Sequence, residues 1–224
     1  MTLIATKSPN LPIPTTDYER AYFDEFTKQL RLYFNTLDNG LSSLYGPLGG
    51  GNLSNPFIEA SETVTQYATG NNIPTIVQWD TSSLGNGFTL NAGNTATAQV
   101  SGVYKITYSL QFANNNNDIH NAIVWLRING STSAADVPNS TTIFTLQARK
   151  SAGIPNFVCG YSEVVFALNA GDTVGLWWGT DLAATSGGTT GVYVYGQTAQ
   201  TTPMAYPATP SAIGSITFVS SLST

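Results

Sequence analysis

Gly102-Val-Tyr-Lys-Ile-Thr-Tyr-Ser-Leu-Gln-Phe112 reads as one long β-strand. Tyr104, Ile106, Tyr108, Leu110 and Phe112 alternate with Lys105, Thr107, Ser109 and Gln111. That period of two sets one face on a core and the other outward. Downstream, Ile123-Val-Trp-Leu-Arg-Ile128 is rich in β-formers and runs into Asn129-Gly130, a tight-turn signal. Further strands are expected at 75–79, 88–90, 96–100, 143–147, 157–168, 173–178, 192–196 and 213–219, divided by Gly, Asn, Ser and Pro clusters such as 114–117 and 185–191. Many short strands with no helical period imply an all-β sandwich or barrel.

Upstream the composition changes. The first forty residues hold nine of the chain's charged side chains, although only 9% of all residues are charged. Pro9-Asn-Leu-Pro-Ile-Pro14 is an extended arm, because proline fixes φ and biases its predecessor away from helix. Thr16-Asp-Tyr-Glu19 fits a capping box, so a helix is expected from there to Asn39-Gly40, with Gly40 at the left-handed position past its end. Phe23, Phe26, Leu30, Tyr33 and Leu37 recur at alternating spacings of three and four, the seam of a short coiled coil. Tyr18, Tyr22 and Phe34 widen that stripe to about 160°, broader than a strict seam. Such a helix needs a partner: its own domain, symmetry mates, or a foreign surface. Leu11 and Ile13 of the arm join the five seam residues as candidates for oligomerisation or anchoring. The expected organisation is an arm and helix over 1–41, a linker over 42–58 most flexible at Gly49-Gly-Gly51, and a β domain over 59–224.

Composition excludes several functions. A net charge of −5 with Arg149-Lys150 as the sole adjacent basic pair argues against nucleic acid, which attracts a basic stripe. Strictly apolar runs such as Val164-Val-Phe-Ala-Leu168 fall far short of the roughly 20 residues that span a bilayer. The N-terminus has no apolar run of a secretion signal. One cysteine rules out an internal disulfide, and the apolar neighbours of Cys159 suggest a buried thiol. These features suit synthesis in a reducing cytoplasm.

A search for catalytic groups finds little. The single histidine, His120, reads as a surface-loop residue, and no Gly-x-Ser-x-Gly elbow accompanies it. One His and one Cys make a zinc site implausible, and Asp172 and Asp181 are too sparse for calcium. Asp80, Asp118, Asp136, Glu163, Asp172 and Asp181 include pairs a glycosidase would need, but their separations are not legible in sequence. No phosphate-binding Gly-Lys-Ser/Thr loop exists. The expectation is a non-enzyme without cofactor or metal.

Three stretches carry a resemblance. Gly102-Val-Tyr104 through Phe112, Leu126-Arg-Ile-Asn129-Gly130, and Leu168-Asn-Ala-Gly171-Asp172-Thr-Val174 together resemble segments of the globular heads of complement and tumour-necrosis-factor-like proteins. Ile216-Thr-Phe218-Val219 is similar to their closing core strand. The resemblance implies a mainly β, antiparallel jelly-roll sandwich preceded by one N-terminal α-helix, assembled as a homotrimer. Tyr18-Glu-Arg-Ala-Tyr22 through Leu30-Arg-Leu-Tyr-Phe34-Asn-Thr-Leu37-Asp38 resembles the leader of small structural proteins of tailed bacteriophages. It implies a protein of the virion surface, assembled in the bacterial cytoplasm, that decorates the capsid or forms a head fibre on the major capsid protein or another virion protein. The alternative is a receptor-binding tail-fibre tip, contacting host-surface glycans through loop residues Asn115, Asn116 and Asp181 and through whichever of Trp177 and Trp178 is exposed. No membrane or nucleic-acid partner is expected.

Overall fold

A computed structural model of the chain describes residues 11, 19–45, 55–92, 94–186 and 190–222. The chain divides into two compact units, Met1–Ser54 and Asn55–Thr224.

In the first unit, α1 spans Arg20–Tyr45. The carbonyl of Glu19 accepts the N–H groups of Tyr22 (3.2 Å) and Phe23 (3.4 Å), so Glu19 stands just ahead of the first turn instead of inside it. Thr16, the expected cap, and Ile13 lie outside the described residues. The helix runs through Gly40 to Tyr45, beyond its expected end and into the expected linker. A helical glycine costs about 1 kcal/mol, and the sequence spacing Leu37, Leu41, Leu44 continues the apolar pattern past it. Phe26, Leu30, Tyr33 and Leu37 are half-buried, whereas Phe23 and Leu11 are exposed. Tyr22 stacks on Phe26 with ring centroids 6.2 Å apart. No described helix is long and apolar enough to cross a membrane.

The second unit contains β1 (Phe57–Glu62), β2 (Gln66–Tyr67), β3 (Thr75–Ile76), β4 (Thr81–Asn86), β5 (Phe88–Leu90), β6 (Ala96–Ala98), β7 (Gly102–Asn114), β8 (His120–Ile128), β9 (Thr142–Leu146), β10 (Asn156–Leu168), β11 (Thr173–Thr180), β12 (Val192–Val194) and β13 (Ala212–Ser220). All pairings among them are antiparallel. The first sheet runs β4-β1-β13-β7-β10, with β12 and β2 continuing the edge of β7 past the end of β13. The second runs β5-β6-β11-β8-β9, with β3 beside β6 on the edge of β11. The principal strands β1-β13-β7-β10 and β6-β11-β8-β9 are visited by a chain that crosses repeatedly between sheets, which is a jelly roll.

The opening strand behaves as its pattern dictates. Tyr104, Ile106, Tyr108, Leu110 and Phe112 are buried and meet Val124, Leu126, Leu176 and Trp178 of the opposite sheet in one core. The Gly-x-Tyr pair has a specific use. A Cβ on Gly102 would lie 2.5 Å from the Phe218 ring, which packs edge-on against Tyr104 at 5.6 Å. The Tyr104 hydroxyl donates to the Val100 carbonyl at 2.6 Å, closing that end of the sandwich.

Three expectations change. Cys159 is exposed, with Sγ 3.1 Å from the Ser109 hydroxyl. Its apolar neighbours Phe157 and Tyr161 share its outward phase on β10, so the apolar context is a surface stripe and not a core. His120 opens β8 in phase with buried Ala122 and Val124, leaving its side chain only 14% exposed. Asn129-Gly130 closes no tight hairpin: thirteen residues, including a 3-10 turn at Ser133–Ala135, link β8 to β9.

Asn129 instead joins two of the stretches quoted above. Its φ is 57°, its backbone N–H donates to the Thr173 carbonyl at 2.9 Å, and its side-chain oxygen accepts the Thr173 N–H at 2.8 Å. Its amide nitrogen donates to Asp172 at 2.7 Å, while Asp172 also accepts the Asn169 N–H at 2.7 Å. These hydrogen bonds, that of Asn129 foremost, hold the Asp172 carboxyl below its ordinary pKa. A lowered carboxylate pKa adds stability above the unfolded-state value, about 3.9, and that stability disappears as pH falls through the folded value. Asp172→Asn is therefore expected to lower the melting temperature at neutral pH, with the difference from the parent closing below about pH 4. Melting curves across pH 3–7 check this; a gap that persists unchanged into acid would contradict it.

Candidate functional site

The first candidate surface is the outer face of the first sheet. Along β10, Val158, Gly160, Val164 and Phe166 turn inward while Phe157, Cys159, Tyr161, Glu163 and Val165 turn outward. Phe157 is 48% exposed and Tyr161 and Val165 are each 59% exposed. A single ion pair, Lys105 with Glu163 at 3.6 Å, crosses this row. At one end Phe157 meets Tyr195 at 5.0 Å, and Tyr195, Tyr193 and Tyr67 follow in ring contact at 6.2 and 5.8 Å. Burial pushes the phenols of Tyr193 and Tyr195 above their ordinary pKa, so they stay neutral at physiological pH. Among the described residues, β10 pairs with β7 alone and presents a thirteen-residue edge.

The second surface is the outer face of the other sheet. Trp125 and Trp177 stand opposite each other in the β8–β11 register, and Arg127 stands opposite Gly175. Arg127 is only 4% exposed. Its guanidinium lies 4.4 Å from the Trp177 ring centre and 5.4 Å from that of Trp125. Its Nε donates to Asp136 at 2.6 Å and it also donates to the Ser131 carbonyl, while Trp125 Nε1 donates to the same Asp136 oxygen at 2.8 Å. A buried arginine is tolerable only when paired and hydrogen-bonded in this way. Of the two tryptophans singled out from sequence, Trp177 belongs to this surface. Trp178 is wholly buried, against Phe112 at 5.9 Å, and is a core residue with no contact to offer a ligand.

The loop candidates lie at one end of the sandwich. Asn115 is buried, with its N–H bonded to the Gly191 carbonyl, so it holds the loop together instead of facing outward. Asn116 is half-buried: its side chain accepts the Asp118 N–H at 2.9 Å and its carbonyl accepts the Arg149 N–H at 2.7 Å. Asp181 is exposed and accepts from Asn121 N–H at 3.0 Å, with His120 Nδ1 at 3.1 Å. Partial burial raises the Asp181 pKa, but the His120 and Asn121 bonds outweigh it and the net shift is downward. The Thr180 hydroxyl also donates to Asp181 at 3.3 Å, and together these bonds latch the start of β8 to the end of β11.

Sequence reasoning missed Trp125 and Arg127 as site residues and named Asp136 only among the carboxylates a glycosidase would need. Their i, i+2 spacing in β8 placed Trp125 and Arg127 on one face, but the β8–β11 register that adds Trp177 leaves no local mark. No described cluster of three or more His, Cys, Asp or Glu side chains is arranged to hold a metal. A cavity of about 30 Å³ between the sheets, lined by Ile58, Trp79, Leu176 and Ile216 among others, is apolar and near the size of one water.

The class these features define is a jelly-roll sandwich with one apolar and one tryptophan-bearing outer face. No protein-family model matches the chain, and no curated protein matches it. Among solved structures it is similar to the Eiger TNF of S. frugiperda, at 14% identity and a TM-score of 0.45, covering 75% of this chain and 96% of that one. The likeness is slight, and the jelly-roll topology stands on the strand pairings themselves.

Proposed function

We propose that this chain is a non-enzymatic structural protein of a tailed-phage virion that assembles as a homotrimer through the outer face of its first sheet. The observation that supports this most is the exposed apolar row on β10. Contiguous apolar surface rimmed by polar groups marks an association site, and a long apolar edge strand left uncovered is an aggregation hazard. Packing one copy's β10 face against a neighbour removes both costs at once. Light scattering is expected to give about three times 23.8 kDa; a concentration-independent monomer would overturn the assembly.

The amphipathic helix and the arm before it serve as the anchor on the major capsid protein or another shell protein, so that a trimer clamps neighbouring subunits against internal pressure. Phe26→Asp with Leu30→Asp puts two charges on the half-buried stripe of α1 and is expected to abolish incorporation into particles while leaving the β unit folded. Normal incorporation of that variant would end the anchoring proposal.

A second reading, a receptor-binding tip that contacts host glycans, is favoured by one observation, the solvent-facing tryptophans of the second sheet. The two readings use opposite sheets and are compatible in one trimer.

A further inference from the structure

We propose that the outer face of the second sheet is a binding platform for a neutral pyranose sugar, with the faces of Trp125 and Trp177 as its stacking surfaces. The inference deepens the receptor-binding reading and rests on it. On β11 the outward residues around Trp177 are Gly175 and Gly179, so the central tryptophan has no side chain on either side of it along the strand. Both glycines border an indole, Gly175 together with Thr95 and Ile76 and Gly179 together with the Ile73 carbonyl. A Cβ on Gly179 would be 3.8 Å from Trp125 Cη2, and one on Gly175 would be 3.2 Å from Trp177 Nε1. Glycine in a strand marks close approach of another group, and here the missing side chains leave room for the indoles on the outer face.

Arg127 fixes the rings. It is almost inaccessible, its guanidinium lies over both rings, 4.4 Å from the centre of Trp177 and 5.4 Å from that of Trp125, and both indoles keep part of their surface in solvent. Cation–π contact and the shared Asp136 bonds hold the pair rigid, which reduces the ordering cost of binding.

Charge complementarity selects the occupant. The Arg127 charge is compensated by Asp136 and by the Ser131 carbonyl, so among the described residues of this face no free cation remains to recruit a phosphate or carboxylate. What remains is two electron-rich ring faces, which attract the weakly positive C–H groups on one side of a pyranose. Asn121 and Thr145, on the same sheet face and hydrogen-bonded to each other at 2.9 Å, supply amide and hydroxyl groups for the sugar's own hydroxyls.

The test uses the full chain with neutral methyl glucoside, galactoside and mannoside, read by saturation transfer from protein to sugar protons. Transfer concentrated on the C–H protons of one pyranose face is expected for at least one of them. Trp177→Ala should weaken that binding by about tenfold, Trp177→Phe should retain most of it, and gluconate should bind no better than the neutral sugars. Near-UV circular dichroism from buried Trp178 verifies that each variant is folded. No transfer from any neutral sugar, or transfer undiminished in Trp177→Ala, overturns the platform. Host-cell binding measured in parallel separates the two claims: cell binding without sugar binding keeps the receptor reading and rejects this site.

Discussion

Tyr161→Asp together with Val165→Asp is expected to convert the trimer to a folded monomer of 23.8 kDa. Both side chains are more than half exposed on the outer face of β10 and neither belongs to the buried core, so the sandwich itself loses little. Burying the exposed part of each against a neighbour contributes roughly 1–2 kcal/mol per side chain. The substitutions remove that gain in every protomer and add two carboxylates whose desolvation costs several kcal/mol each when no cation meets them. The Lys105 ammonium is the nearest basic group in the row, and Glu163 already occupies it. Because association adds to apparent stability by mass action, the melting temperature should also fall and lose its dependence on protein concentration. Ile143→Asp is the control: Ile143 is 62% exposed but lies on β9 of the opposite sheet, and its variant should keep the parent mass. A double variant that still sediments with the parent would show that the β10 face is not the interface.

How far the sequence speaks depends on whether the signal is local. The period of two over 102–112 defined β7 and its buried face within a residue or two, and the same logic found β8, β10, β11 and β13. Phe57–Glu62 and Thr81–Asn86 escaped because Phe-Ile-Glu-Ala-Ser-Glu and Thr-Ser-Ser-Leu-Gly-Asn carry few β-formers. They are strands because β13 offers β1 a ready edge and β1 then offers one to β4, a tertiary cause that local propensity does not contain. The jelly roll was implied by the resemblance of the quoted stretches, whereas the bonds of Asn129 to Asp172 and Thr173 were not foreseen, because Asn129-Gly130 read as a tight turn. The site was harder. Aromatic neighbours made Cys159 look buried, yet on a strand the immediate neighbours of an outward residue face inward, and those two away share its surface. His120 looked exposed for the converse reason: the strand starts three residues before its β-forming run, which turns the ring into the sandwich.

Trp177 and Trp178 test that alternation directly. They are adjacent on β11, identical in chemistry and opposite in phase. Trp178→Ala removes the largest wholly buried side chain in the core, one that packs against Phe112 at 5.9 Å, and should destabilise the β unit by about 3–5 kcal/mol. For a β unit of this size a loss of that magnitude lowers the melting temperature by roughly 6–20 °C. Trp177→Ala leaves the core intact. It gives up half-buried ring surface and one cation–π contact with Arg127, whose bonds to Asp136 and Ser131 persist, so the expected cost is about 1 kcal/mol. Denaturant titrations should therefore separate the two variants by at least about 2 kcal/mol with unchanged slopes, because the surface exposed on unfolding is nearly the same. Sugar binding should divide them the other way, weakened about tenfold in Trp177→Ala and kept in folded Trp178→Ala. Equal stability losses would mean that β11 does not alternate between core and solvent at these two residues, and the tryptophan platform would fall with that register.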